Sequence, residues 1–310
     1  MEDHLLQQDE TLKVLGISWL PHDDMFRFQV NASFTVTPTK RSVLSVIARL
    51  YDPLGWAAPV VIVAKILLQE LWLTQSDWDT PLPDELRQQW EAYYNNLKTL
   101  NGIRIPRWTG RRDNDVAFEL HGFADASNRA YAAVYIRILH MQADVQVCLL
   151  AAKTKVAPLK TLSIPRLELN AIVLLSRLIK WVQMTLSTPS ASVFGWSDSA
   201  VALAWLRQHP AKWQTFVADH VSEVQRTLPE ARWNHVSSKD NPADCASRGL
   251  SAEELFSHPL WWTGPRWLAR SSTSWPTDDH SLSLDSSTNP QVYDEALTSS
   301  STLKVRTSGN

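Results

Sequence analysis

The sequence predicts a mixed α/β chain: a helical N-terminal part, then a mixed five-stranded sheet flanked by helices. Three observations carry this. Apolar residues recur at helical spacing between about residues 40 and 100. Five short strand-like runs follow between residues 116 and 236. A long helical period separates the third run from the fourth, a pattern that packs as a sheet with helices laid against it. At 310 residues the chain has room for two domains of about 100–200 residues each.

Taken in order, residues 12–36 read as extended. LKVLGISWL precedes a turn at Pro21-His22-Asp23-Asp24, and Phe26, Phe28 and Val30 then alternate with the strand period of two. From Lys40, Val43, Leu44, Ile47 and Leu50 mark a helix that Asp52-Pro53-Leu54-Gly55 stops. A second helix spans about Ala57 to Leu73, with Pro59 tolerated in its first turn. The apolar run from Leu54 to Leu68 contains Pro59 and Lys65 and reads as buried helix rather than membrane span. A third helix, Asp84 to Leu100, gathers Leu86, Trp90, Tyr93, Tyr94 and Leu97 on one face and ends at Gly102 and Pro106. Trp56, Trp72 and Trp90 sit at core-like spacing in these helices.

Beyond residue 115, Val116–Phe123, Ala130–Ile138 and Val145–Ala152 form an antiparallel meander joined by short polar turns such as Ser127-Asn128-Arg129. Arg166–Leu186 is a long helix, Ser192–Trp196 a short apolar strand, and Ser199–Arg207 and Thr215–Leu228 are helices. Arg232–Val236 is a last strand, and Asn241 opens a short terminal helix. From Ser271 onward 17 of 40 residues are Ser or Thr, too polar to offset the entropy of ordering, so a disordered tail is expected.

Thirty basic against 32 acidic residues exclude a polycation that coats nucleic acid nonspecifically. Two cysteines, Cys148 and Cys245, make no disulfide framework and no zinc cluster, and suit a reducing compartment. MEDHLLQQDE carries acids and lacks an apolar stretch, so it does not read as a signal peptide. Residues 115–250 hold 14 basic against 11 acidic side chains. Setting four clustered acids aside leaves a basic surround of +7.

Those four carboxylates are Asp125 in GFADAS, Glu168 in IPRLEL, Asp198 in GWSDS and Asp244 in NPADCASR. Each falls where a strand ends or a helix begins. Singly, Asp125 would be a turn residue, Glu168 and Asp244 helix-start acids, and Asp198 an N-cap. Together, acids set beside Phe123 and Trp196 need a partner on leaving water. Converging carboxylates repel one another unless a divalent cation neutralises them. Oxygen ligands without paired Cys or clustered His point to Mg²⁺ or Mn²⁺, two ions serving phosphodiester cleavage.

These phrases resemble a known family. Asp125, Glu168, Asp198 and Asp244, spaced 43, 30 and 46 residues apart, resemble the DEDD set of retroelement ribonuclease H domains. GFADASNRAYAAVYIR, LKTLSIPRLELNAIVLLSRL, WSDSAVALAWL and HVSSKDNPADCASRG carry that likeness, the last resembling the NPAD-x-x-SRG ending of long-terminal-repeat elements. LGISWLPHDDMFRF and TKRSVLSVIARLYDPLGWAAPVVIVAKILLQELW resemble the Bel/Pao branch.

Resemblance and composition together divide the chain into five segments. Residues 1–36 are the remnant of a polymerase palm, 37–114 a thumb- or connection-like helical region, and 115–250 a ribonuclease H-like domain. Residues 251–270 are a Trp-rich connector and 271–310 the tail. It implies that the four carboxylates bind metal, that the substrate is an RNA:DNA hybrid, and that the upstream palm of the parent polyprotein is a partner. A setting in cytoplasmic virus-like particles follows, or a nuclear one. His235 is a candidate for the mobile histidine that helps product leave, or a strand residue only. Ser127, Asn128 and Ser199 could read sugar edges or serve as turn and cap residues. Lys153, Lys155, Lys160 and Arg166 could hold phosphates or form a solvated loop.

Several absences bound the activity. There is no Tyr-x-Asp-Asp motif, so polymerase carboxylates are expected in a segment before Met1. There is no His-His-Cys-Cys integrase module, no Asp-Thr-Gly or Asp-Ser-Gly peptidase turn, and no Gly-x-Ser-x-Gly elbow. Two rivals stay open: a remnant that only binds nucleic acid or protein, and another nuclease of the same fold.

Overall fold

The computed structural model describes residues 12–14, 17–30, 37–107, 117–141, 144–188 and 191–276. Four short strands open the chain: β1 (Leu12–Val14), β2 (Ile17–Leu20), β3 (Met25–Phe28) and β4 (Ile105–Pro106). They form an antiparallel sheet in sequence order. LKVLGISWL is therefore two strands folded on each other, Leu12 facing Trp19, and not one extended run. The polar turn before β3 holds Asp24 at φ 51°, and Arg107 grips its carboxylate from beyond β4. β4 was illegible because it is two residues long and contains Pro106, which has no N–H and fits only an edge.

The helical part follows as α1 (Lys40–Arg49), α2 (Ala58–Leu73) and α3 (Asp84–Asn96), with a 3-10 turn at Leu97–Gly102. Thr39 caps α1 in a reciprocal box with Ser42. Asp52 satisfies the start of α2, its two oxygens accepting from Trp56 N at 2.9 Å and Ala57 N at 2.8 Å. Among the described residues, no helix is long and apolar enough to cross a membrane. Trp56 and Trp90 are buried as their spacing predicts, but Trp72 is 48% exposed. It packs edge-on against Trp78, with the Lys40 ammonium over its ring. The α2 sequence is apolar on nearly every side, so its period could not say which face Trp72 would take.

The second sheet has the order β7-β6-β5-β8-β9. Its strands are β5 (Ala117–Ala126), β6 (Ala130–Met141), β7 (Asp144–Val156), β8 (Ser192–Ser197) and β9 (Arg232–His235). β5, β6 and β7 are the expected antiparallel meander, while β8 runs parallel to β5 and β9 parallel to β8. One face carries α4 (Ile164–Thr185), α5 (Ala200–Leu206) and α6 (Thr215–Thr227) over an aliphatic core that includes Leu120, Ala124, Leu175, Leu203 and Val221. This mixed five-stranded sheet flanked by helices is the architecture the sequence predicts.

The other face is covered by the C-terminal residues. These are α7 (Pro242–Arg248), α8 (Ala252–Phe256), α9 (Pro259–Thr263) and two 3-10 turns. Residues 251–270 are packed structure rather than a connector. Trp261 is fully buried and donates its indole N–H to Trp56 O at 2.8 Å. Trp267 lies on Phe123 and Trp196. The Ser/Thr-rich segment also starts in contact, with Trp275 edge-on to His121 and Phe194. An indole offers enough apolar area to hold a polar segment against the sheet. The rest of the expected tail, 277–310, lies outside the described residues.

The two parts share one core. Val43, Trp56, Leu71 and Trp90 belong to the same buried cluster as Phe123, Trp196, Val236 and Leu268. The outer edge of β7 is covered by the segment before α2, where Ala152 N donates to Leu54 O at 2.8 Å. Gly55 makes that approach possible. Its φ is 72°, and a Cβ there would stand 1.9 Å from Ala152 O.

Candidate active site

Parallel pairing decides where the acids meet. β5 and β8 run the same way, with Phe123 beside Trp196 and Ala124 beside Ser197. Asp125 on β5 and Asp198 just past the end of β8 therefore emerge together at one end of the sheet. β7 also runs in this direction, so the loop after it delivers the start of α4 to the same end. α4 begins at Ile164 with Pro165 in its first turn, two residues earlier than its apolar period indicates. Glu168 thus sits in the second turn, fixed by the helix more than drawn to its dipole. Ligand oxygens of Asp125, Glu168 and Asp198 lie within 4.8 Å of one another.

Asp244 stands outside that group. It occupies the first turn of α7, capped by Asn241 with Pro242 in the first helical position as the sequence predicts. One turn further, Arg248 draws its carboxylate into an ion pair at 2.5 Å. Asp244 is still close enough for its charge to act on both Asp125 and Glu168.

The electrostatics follow from burial. Burial pushes Glu168 up to about 9, with the charges of Asp125 and Asp198 adding to the effect. Asp125 rises to about 7 for the same first reason, opposed by a hydrogen bond from Ser247 and reinforced by Asp198 and Asp244. Glu168 Oε2 is buried with no hydrogen-bond partner. A buried carboxylate with one orphaned oxygen, grouped with two further carboxylates, is the donor set of a hard divalent cation, and these residues fit one.

Three residues hold the acids in place, of which sequence reasoning named only Asn241, and that as a helix cap. Ser247 Oγ donates to Asp125. Asn241 Nδ2 donates to Ala124 O at 3.0 Å and to Asp198 Oδ1 at 3.3 Å. Ser238 Oγ donates to Asp198 Oδ2 at 2.5 Å. The only signal for two of them was their place inside the NPADCASR phrase.

The remaining candidates are scattered. Ser127 closes the β5–β6 turn and donates to Ser247 O at 2.9 Å, tying that turn to α7, with Asn128 exposed beside it. Ser199 caps α5, accepting from Ala202 N at 3.2 Å. Arg166 sits in the first turn of α4, its guanidinium 5.5 Å from the Phe216 ring. His235 is exposed at the end of β9, in register with Ser197. Lys153 and Lys155 are exposed on β7, two strands from Asp125, where they line a separate cavity.

Solved structures with detectable likeness include the N-terminal RNase H domain of rv2228c from Mycobacterium tuberculosis, solved as a fusion with maltose binding protein. It is 11% identical, over 44% of this chain and 98% of that one, with a TM-score of 0.29. RNase H1 from the halophilic archaeon Halobacterium salinarum is 10% identical over 41% and 90%, with a TM-score of 0.27. The foamy viral protease-reverse transcriptase in complex with RNA/DNA hybrid is 10% identical over 61% and 26%, with a TM-score of 0.26. No curated protein matches the sequence. The profile of the Pao retrotransposon-like RNaseH-like domain matches residues 39–199, from the N-cap of α1 through three of the four acids, and the chain belongs to that family.

Proposed function

We propose that this chain is a metal-dependent endonuclease that cuts the RNA strand of RNA:DNA hybrids. The observation that carries the reading is the triad of Asp125, Glu168 and Asp198, with an unpartnered buried oxygen on Glu168. Asp125, Glu168 and Asp198 would hold Mg²⁺ or Mn²⁺, with Asp244 at the rim. Two such ions, when bound, supply an activated water and a counter-charge for the leaving oxygen.

The chain's own groups do the rest. Ser247 orients Asp125, and Asn241 with Ser238 orients Asp198, so the ligand oxygens need little rearrangement. Apolar Phe123 and Trp196 beneath them exclude water from the floor of the site. Asn128, exposed at the β5–β6 turn, and Ser199 are suited to 2′-hydroxyls. Arg166 is suited to phosphate. His235, exposed at the end of β9, is the imidazole for product release. DNA synthesis belongs in this reading to the palm of the parent polyprotein, with which the helical part would pack.

The test uses a hybrid labelled in its RNA strand, incubated with the full chain in Mg²⁺ and in chelator. Cleavage should need Mg²⁺ and fall by at least about 10²-fold, an effect of more than 2.7 kcal/mol, in Asp198→Asn. Undiminished cleavage by that variant would reject the site. Tight hybrid binding with no Mg²⁺-dependent product would leave a binding remnant instead.

A further inference from the structure

Away from the carboxylates, a cavity of about 620 Å³ opens between α4, β7 and the helical part. Lys153 and Lys155, two residues apart on one strand, point to the same side and both line it. Lys65 reaches it from α2 and feels the charge of Lys153. Among the described residues, none of these three ammonium groups makes a hydrogen bond or an ion pair, although Lys65 also feels the charge of Asp52.

Among the described residues, Asp52 is the only acid on the wall, and its oxygens accept from the backbone N–H groups of Trp56 and Ala57. Arg177 also lines the cavity, but Glu223 holds its guanidinium at 2.5 and 2.9 Å. The void therefore keeps an excess of positive charge that calls for an anion. Its other wall is apolar, formed by Leu174, Leu178 and Trp181 of α4, with Trp181 49% exposed. The volume falls among small-molecule sites, which span about 300–1,000 Å³, and is too small for a duplex.

We infer that this cavity binds a nucleoside diphosphate-class ligand, the lysines taking the phosphates and Trp181 with Leu178 taking the base. Ammonium groups suit phosphate as point charges, and an exposed indole suits any base face. The inference stands apart from the nuclease reading, because it uses none of the acids at the sheet end.

The experiment is isothermal titration of the full chain with ADP, and separately with adenosine, in chelator so that no divalent ion links phosphate to the carboxylates. ADP should bind saturably, and adenosine at least about tenfold more weakly. The Lys153→Gln/Lys155→Gln double variant, both sites being exposed, should keep its circular dichroism and melting temperature while losing ADP affinity by at least about tenfold. No saturable ADP binding, adenosine binding as tightly as ADP, or unchanged affinity in the folded double variant would each overturn it.

Discussion

Glu168, with its carboxyl held up to about 9, keeps its proton at neutral pH in the metal-free fold, and Asp125, near 7, keeps about half of its own. In the unfolded chain both ionise near their ordinary values of 4.5 and 3.8. Between those limits the folded state holds protons that the unfolded state has released. Stability from this pair is therefore complete below about pH 4 and is lost as pH rises through about 9. Thermal melts in chelator should show Glu168→Gln gaining on the native chain as pH rises from about 5 to about 8. Mg²⁺ should raise the native melting temperature most at the upper end, since it replaces the protons. A pH-independent gap between the two proteins would refute this account. The four acids were legible because each sat in a distinctive phrase at or near the end of an element, Glu168 one turn inside α4. Their donors were not: Ser247 and Asp125 lie 122 residues apart, and no local period links them.

Among the elements, the strands and helices of the second sheet announced themselves by clean changes of period. Predicted and observed bounds differ by a few residues at most, as in α4. The paired β1 and β2, the two-residue β4 and the packed Trp segment did not. Each depends on what lies opposite in space, and short pieces carry too little pattern to show it. The joint at Gly55 is the sharpest of these contacts. Gly55→Ala places a methyl against Ala152 O and forces an L side chain into φ 72°, costing about 2–4 kcal/mol by strain and by loss of the Leu54–Ala152 bond. Urea unfolding should show a lower midpoint at an unchanged slope. A midpoint equal to that of the native chain would mean the joint is loose.

For the molecule as a whole, the shared core sets the unit of folding. Composition and length suggested two domains, yet Trp56 and Trp261 are 205 residues apart and joined by a hydrogen bond inside one buried cluster. Heat should therefore unfold the helical part and the second sheet in one transition. Trp261→Ala should reduce stability by about 3–5 kcal/mol through the cavity left behind, and so lower that transition. Two separate calorimetric transitions in the native chain would contradict this. The acidic end of the sheet has a consequence for synthesis as well. Every side-chain donor to Asp125 and Asp198 described above comes from residues 238–247, after both acids. On the ribosome, the acids emerge long before the groups that steady them. In the proposed reading, the carboxylates would be set for metal only once α7 has left the exit tunnel, so a chain still on the ribosome would lack a finished centre.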